Sequence, residues 1–372
     1  MPEETWQSPE PMHVTPDVLS EQIDTIFRAW GVSRAQREPT VAAMVAADTC
    51  GIDSHGVSML MLYEQMVKQG IINLKATPGI VKESPSTALV DGDAGFGHPV
   101  AKMAMALAIE KSQKNGIGSV SVFNSHHFGA AGYYAKMASD AGMIGMVTSS
   151  TRGVFVTPTY AQKPVLGTNP IAFAAPTGTD RPFLLDMSTS TVASNKIKVY
   201  DLKEEPLPKG WVVNASGMPL TDATEARKSL LSAEKDAGIT PLGGTSELSG
   251  HKGYGLAMMV QILSATLSGG CFSPFRDTAD SASSPDNIGH FFLAINPSYF
   301  RQEGAFEFDL QKMIDFLHKA QPIDSSQPVL VAGDPEFNEY ERRKRDGIPM
   351  PGSLLSLVRE IAERAETPYI LI

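Results

Sequence analysis

Four short segments concentrate side chains able to do chemistry. Asp53-Ser54-His55-Gly56 places a carboxylate, a hydroxyl and an imidazole in one turn ahead of a helix beginning near Val57. An imidazole there can exchange protons near neutral pH. The same pattern also reads as ordinary helix capping by Asp53 or Ser54, with His55 exposed beside it. The run Asn124-Ser125-His126-His127-Phe128-Gly129-Ala130-Ala131-Gly132 follows a strand and opens a helix, so its small residues leave backbone N–H groups approachable by an anion. His126 and His127 add a proton carrier, a cofactor contact or the start of a metal-assisted hydrolase or lyase site. Neighbouring histidines point in different directions, however, and no carboxylate or cysteine near them in sequence completes a zinc cluster. Gly167-Thr168-Asn169-Pro170 and Gly250-His251-Lys252-Gly253-Tyr254-Gly255-Leu256 suit ligand approach and ordinary turns equally well.

A glycine-rich turn at Gly92, Gly95 and Gly97 invites a dinucleotide reading. Gly95-Phe96-Gly97-His98-Pro99-Val100 lacks the third small residue of that fingerprint, and the next strand ends at Phe123-Asn124 without a ribose-binding acid. A tight turn is the plainer account.

The elements that must position these groups follow from periodicity. Thr15-Pro16 starts a helix whose apolar residues recur at helical spacing until Gly31, and further helices are expected over 34–49 and 57–69. From Thr87 the pattern changes to strand (87–91), helix (100–114), strand (118–123), helix (132–141) and strand (144–148). Apolar runs at 170–175, 183–186 and 291–295 extend a sizeable mixed sheet. The chain between 200 and 250 is polar and turn-rich, 254–272 reads as a buried helix, and 281–286 as an exposed loop. Helices return over 310–318 and 354–365, with a strand-like 328–332 between them. The expected units are a flexible tail (1–12), an N-terminal helical domain (13–84), a mixed α/β domain (85–308) and a C-terminal segment packing on the first domain (309–372).

Composition narrows the function classes. With 31 basic and 41 acidic residues the net charge is -10, the wrong sign for general binding to nucleic acid or an anionic membrane. The short basic run Arg342-Arg343-Lys344-Arg345 sits beside Glu339 and Glu341 and reads as a solvated helix face, or second as an anion contact. Two cysteines, Cys50 and Cys271, make no disulfide framework and match no metal spacing, which suits the cytoplasm. The acidic, Pro-rich start is neither a secretory signal nor a transit peptide, and no stretch is uniformly apolar enough to span a membrane.

Taken in order, these segments resemble the malate/L-lactate dehydrogenase-like family of NAD(P)-dependent oxidoreductases, which includes sulfolactate, ureidoglycolate and diketogulonate enzymes and a cyclic-imine reductase. The likeness rests on Asp53 through Ser58, on 124–134, on 167–170, on Leu185-Asp186-Met187-Ser188-Thr189-Ser190, on Pro208-Lys209-Gly210-Trp211, on 251–256 and on 289–295. It implies an α/β fold: a mixed-sheet, non-Rossmann domain binding NAD or NADP, and a helical domain built from both ends of the chain. It implies a homodimer acting on a small 2-hydroxy acid, its 2-oxo partner or a related imine. His55 would be the proton donor or acceptor, oriented by Ser54. His127, Phe128, Gly129, Ala130, Ala131, Asp186, Met187, Ser188, His251, Lys252, Asp334 and Glu336 would contact the cofactor, and Thr168 the substrate. No metal is expected. Met59 stands where the family usually has an arginine that grips a substrate carboxylate. Tyr63, Arg152 or a partner residue would then supply the grip, or Met59 would meet an apolar part of the substrate. Ser194-Asn195-Lys196 likewise replaces the family's usual arginine, glycine and lysine. The other readings are the metal-assisted hydrolase or lyase and a non-catalytic, cofactor-binding homologue.

Overall fold

The computed structural model describes residues 12–202, 204–232, 234–276 and 284–371. The chain opens with β1 (Met12–Val14), α1 (Pro16–Ala29), α2 (Arg34–Thr49) and α3 (Leu60–Lys68). It continues through β2 (Gly79–Glu83), β3 (Thr87–Asp91), α4 (Gly97–Asn115), β4 (Ile117–Ser125), α5 (Ala131–Asp140), β5 (Ile144–Ser149), β6 (Ile171–Ala175) and β7 (Phe183–Met187). Next come α6 (Ser194–Leu202), β8 (Val212–Asn214), β9 (Pro219–Leu220), α7 (Ala223–Leu231), β10 (Ala237–Ile239), α8 (Gly250–Gln261) and α9 (Ser273–Arg276). The last elements are β11 (Ile288–Ile295), α10 (Ala305–His318), α11 (Asp334–Asp346), β12 (Ile348–Met350) and α12 (Gly352–Arg364).

The first helices form where capping and apolar spacing agree. Thr15 accepts from the Val18 N–H at 3.4 Å, Pro16 fills the first position of α1, and Leu19, Ile23, Ile26 and Phe27 make one buried stripe. That stripe needs partners from both ends of the chain. It packs with Met44, Leu60, Tyr63 and Met66 and with Val358, Ile361 and Leu371, while β1 pairs with β12 through Met12↔Met350 and Val14↔Ile348. Met12 is therefore held in a strand, and the remainder of the expected tail, 1–11, lies outside the described residues.

Seven strands form one sheet in the order β2-β3-β4-β11-β5-β6-β7. Only β3 and β4 run parallel; every other neighbouring pair is antiparallel. Consequently β3, β4, β5 and β7 all end at the edge where β6 and β11 begin. Val90, Val120, Val122, Val147, Phe292 and Ala294 on one face meet Ala101, Ala104, Met105, Ala108, Ala135 and Ala138 of α4 and α5. Alanines let these helices approach closely, so the sheet and its first helix pair are sealed together. On the opposite face α8 runs into a π-turn over 262–266, where Ser264 bonds Thr148 side chain to side chain at 2.7 Å.

Four expectations change here. The polar stretch 200–250 is not mere loop: β10-β8-β9 and α6 and α7 enclose a third core of Ile197, Leu207, Val212, Ala226 and Ile239. Segment 254–272 is not one buried helix, because α8 stops at Gln261 and Met258, Met259, Ile262 and Leu267 are open to solvent. Segment 328–332 is no strand; its tie to the sheet is one bond, from the Leu184 N–H to the Ala332 carbonyl at 3.1 Å. Of the loop expected at 281–286, residues 281–283 lie outside the described residues, and Asp286 is buried rather than exposed. Among the described residues no helix is long and apolar enough to cross a membrane.

The chain's last residues depend on a buried polar side chain. Gln22 donates from Nε2 to the Pro368 carbonyl at 3.1 Å and accepts the Ile370 N–H at 2.7 Å. Gln22→Leu removes both bonds and should lower stability by about 2 to 4 kcal/mol in urea unfolding. An unchanged midpoint would show that the C-terminal residues are not fastened there.

Candidate active site

Ligands of open α/β sheets bind beyond the carboxyl ends of strands, and here that edge collects the ends of β3, β4, β5 and β7. The turn carrying His55 is brought over it from the end of α2. Two buried groups fix that turn. The Asp48 carboxylate accepts the Val57 N–H at 2.7 Å, and the space beside Gly56 is so tight that a Cβ there would lie 1.9 Å from Asp48 Oδ1. Arg343 of α11, itself buried, donates to the Asp48 carbonyl at 2.7 Å, to Glu339 at 2.9 Å and to the Asp53 carboxylate. Arg343 therefore is no part of a solvated face, because burial against the turn gives its guanidinium three acceptors. Nor do Asp53 or Ser54 cap the following helix: Asp48 meets the first N–H, Asp53 pairs with Arg343, and Ser54 turns to His55.

His55 Nδ1 lies 2.8 Å from Ser54 Oγ. Its ring stacks on that of His127, centroids 5.5 Å apart and planes inclined by 24°. Burial lowers the His55 pKa below its usual 6.5. Behind the pair, Tyr63 Oη lies 2.9 Å from His127 Nδ1 and 3.5 Å from His98 Nε2. Burial keeps these neighbours neutral as well: His98 is depressed to about 3 by desolvation, then by His55 and His290, and His127 falls well below its usual range for the same first reason.

The segment after β4 is held from three sides. Phe128 stacks on His290 at 4.5 Å with planes 6° apart, and His290 is itself fixed between Ser149 Oγ at 2.8 Å and Ser125 Oγ at 3.0 Å. Gly97 at the start of α4 packs so closely that a Cβ would sit 2.2 Å from the His126 carbonyl, so the glycines read as a failed fingerprint serve backbone packing instead. Asp186, at the end of β7, accepts the Gly132 N–H at 2.7 Å. Desolvation raises its carboxyl to about 6, against the pull of the Gly132 N–H bond. Glu336 adds to that rise through its negative charge, which places it in the field of Asp186.

His126 is committed to structure. Its Nδ1 faces Asp286 Oδ2 and its Nε2 the Ile71 carbonyl, each at 3.0 Å, while Asp286 also takes Arg276 at 2.6 Å. Among the described residues no group of three or more His, Cys, Asp or Glu side chains is arranged to hold a metal.

The structure thus brings Ser54, His55, Tyr63 and His127 into one cluster, with Phe128–Ala131 and Asp186 adjoining it. Thr168 is one step away: its carbonyl accepts the Thr189 N–H at 2.9 Å, and the Thr189 carbonyl accepts the Leu242 N–H at 2.9 Å. This ladder ties the stretch holding Met187 and Ser188 to the turn before α8, in whose first turn His251 and Lys252 are exposed. Among the described residues no hydrogen bond, ion pair or ring contact joins His251 or Lys252 to His55. Asp334 is occupied, accepting from the Val331 N–H at 2.8 Å and facing His318 Nε2 at 2.7 Å. Met59 rests half-buried against the helical core. Ser194 opens α6; the side chain of Asn195 lies outside the described residues. The sequence assigns no role to Asp48 or His98, and to Arg343 only that of a solvated face or an anion contact. Only His98 carried a signal, as a histidine in the first turn of a helix.

Residues 14–359 match the family described as malate/L-lactate dehydrogenase. The malate dehydrogenase of Pyrococcus abyssi is 43% identical over 322 residues, 86% of each chain. The L-sulfolactate dehydrogenase of Methanocaldococcus jannaschii is 34% identical over 350 residues, 94% of this chain and 96% of the other. The crystal structure of malate dehydrogenase from Entamoeba histolytica matches with a TM-score of 0.91 at 30% identity, covering 96% of this chain and 99% of that one.

Burial raises the Asp48 carboxyl to about 7, against the Val57 N–H bond and the Arg343 charge. An acid raised above its unfolded value near 4 contributes stability below about pH 4 that is lost as pH climbs towards 7. Relative to Asp48→Asn, the protein should therefore lose stability across that window and run parallel above it, in denaturant titrations at several pH values. A difference that does not change with pH would show that Asp48 is ionised throughout.

Proposed function

The chain belongs to the malate/L-lactate dehydrogenase family, and on that premise we propose that it oxidises a small 2-hydroxy acid and reduces the matching 2-oxo acid, with NAD or NADP as cofactor and His55 as the proton donor and acceptor. The observation that carries this reading is the His55 imidazole itself, held by Ser54 on one nitrogen and stacked on His127 over the strand ends. With Nδ1 engaged, Nε2 is the nitrogen left to exchange a proton with the substrate oxygen. The bound nicotinamide supplies or accepts hydride. Positioning and proton supply are the protein's share.

The residues present fit such a cofactor. The segment entering α5 carries only small side chains at Gly129, Ala130 and Ala131, Asp186 keeps one carboxylate oxygen for a hydroxyl beyond its bond to Gly132, and Lys252 is an exposed cation at the start of α8. Phe128, Met187, Ser188, His251, Asp334 and Glu336 complete the proposed binding set. Thr168 and Met59 are the proposed substrate contacts. Tyr63 acts on substrate through His127, to which its hydroxyl is bonded. Arg152, partly exposed and 3.4 Å from Asp286, is the cation we assign to a substrate carboxylate in place of the missing arginine. The free thiols Cys50 and Cys271 suit the cytoplasm.

Two apolar surfaces support a homodimer. On α10 only Ile314 is buried, leaving Phe308, Met313, Phe316 and Leu317 open, and α8 exposes Met258 and Met259. Light scattering should give twice the 39.9 kDa chain mass, and Phe316→Asp should shift it towards one chain. A monomeric parent would refute the dimer.

Turnover tests the main reading. His55→Ala should cut it by about two to four orders of magnitude while the thermal shift given by NADH or NADPH persists. Because burial lowers the His55 pKa, the ring is mostly neutral at pH 7. Reduction needs the protonated ring and should quicken as pH falls; oxidation needs the neutral ring and should rise with pH to a plateau. A cyclic imine carboxylate belongs in the panel beside oxaloacetate and pyruvate. Near-normal turnover in His55→Ala would remove His55 from the chemistry, and no shift with either cofactor would remove the dehydrogenase.

A further inference from the structure

His127 Nδ1 receives two contacts, the Tyr63 hydroxyl at 2.9 Å and the Gly129 N–H at 3.4 Å. A backbone N–H can only donate, so Nδ1 is an acceptor and the neutral ring must carry its proton on Nε2. Tyr63 has a single proton, and it is used on Nδ1. At its second contact the Tyr63 oxygen must accept, which makes His98 Nε2, 3.5 Å away, a donor. His98 Nδ1 is then a bare lone pair. It is buried without a partner among the described residues, and a lone pair is less costly there than an orphaned N–H. The same ring lies under the loop that supplies the amide: a Cβ on Gly129, whose φ is +79°, would sit 3.0 Å from His98 Nε2.

We propose that Tyr63 and His98 are positioning residues that lock His127 in the Nε2–H tautomer, so that it offers one fixed donor to an oxygen acceptor on the bound ligand. This deepens the dehydrogenase reading and rests on it. The acceptor is either the carboxamide oxygen of the nicotinamide cofactor or an oxygen of the 2-oxo acid. The tautomer matters because a neutral imidazole with the proton on Nδ1 would present a lone pair to that oxygen and repel it.

Two-bond 1H–15N spectra of the full chain with labelled histidine read the tautomer directly, without ligand. The wild type should show His127 protonated on Nε2. Tyr63→Phe, which keeps the ring packed against Phe27 and Phe96, should mix the tautomers and weaken ligand binding about tenfold, the scale of one hydrogen bond. A rise in the Kd for NADH measured alone assigns the acceptor to the cofactor; a rise confined to the KM for oxaloacetate assigns it to the substrate. His98→Gln retains a donor to Tyr63 and should behave as wild type, whereas His98→Leu should reproduce Tyr63→Phe. A wild-type ring protonated on Nδ1, or variants that lose stability without changing tautomer or binding, would overturn the proposal. Should the wild type bind neither NADH nor NADPH, the dehydrogenase reading falls while the ligand-free spectrum still decides the tautomer.

Discussion

The buried carboxylate of Asp48 and the guanidinium of Arg343 together determine where the His55 imidazole can be. Asp48 holds the first N–H of the helix that follows the His55 turn, and Arg343 grips both the Asp48 carbonyl and the Asp53 side chain from a helix 290 residues further along. A charge so placed is stranded if its acceptors leave, so the turn and α11 hold together or come apart together. Asp53 faces solvent, which weakens its share of the pairing. The Asp48 carbonyl is buried and gives the inner anchor. The pairing of β1 with β12 and the burial of Leu371 extend the same logic: both ends of the chain are needed to build the floor on which one histidine stands.

The sheet solves a different problem, that of bringing distant loops to one edge. A wholly parallel sheet does so by repeating one crossover. Here four strands share a direction and three oppose it, so the edge mixes strand ends with strand starts. Ser125 closes β4 and Ser149 closes β5, and they clasp His290 near the start of β11 between them. Stacked on His290, Phe128 carries the turn that offers His127 to His55. The imidazole of His290 is thus a strut: burial holds its pKa at about 3, and a neutral ring can both donate and accept between two hydroxyls.

Much of this was legible in the sequence. The turn at 53–56, the strand end at 124–132 and the helices over 34–49 and 57–69 follow from local spacing, because caps, glycines and apolar periodicity act over a few residues. What stayed hidden is what local rules cannot carry. Arg343 read as one charge in a solvated run, since nothing within several residues announces that Asp53 will lie against it. The small core around Val212 and Ile239 was hidden by polar turns, because strands of two or three residues leave almost no alternation to read. Asp286 looked like loop and is buried because His126, Arg152 and Arg276 converge on it from three separate segments.

His126 and His127 show why residue type alone could not assign roles. Consecutive residues at a strand end face opposite ways, so the two rings meet different partners. His126 turns into the structure, where both ring nitrogens face acceptors, a carboxylate and a carbonyl, and it fastens the strand end to the Ile71 segment. His127 turns outward, where its Nδ1 is met by donors and its face by another imidazole. A histidine surrounded by acceptors has its hydrogens already committed; one that receives donors keeps an N–H to offer. The division of labour between them is decided by the hydrogen-bonding sign of their neighbours, and that sign is set by the fold.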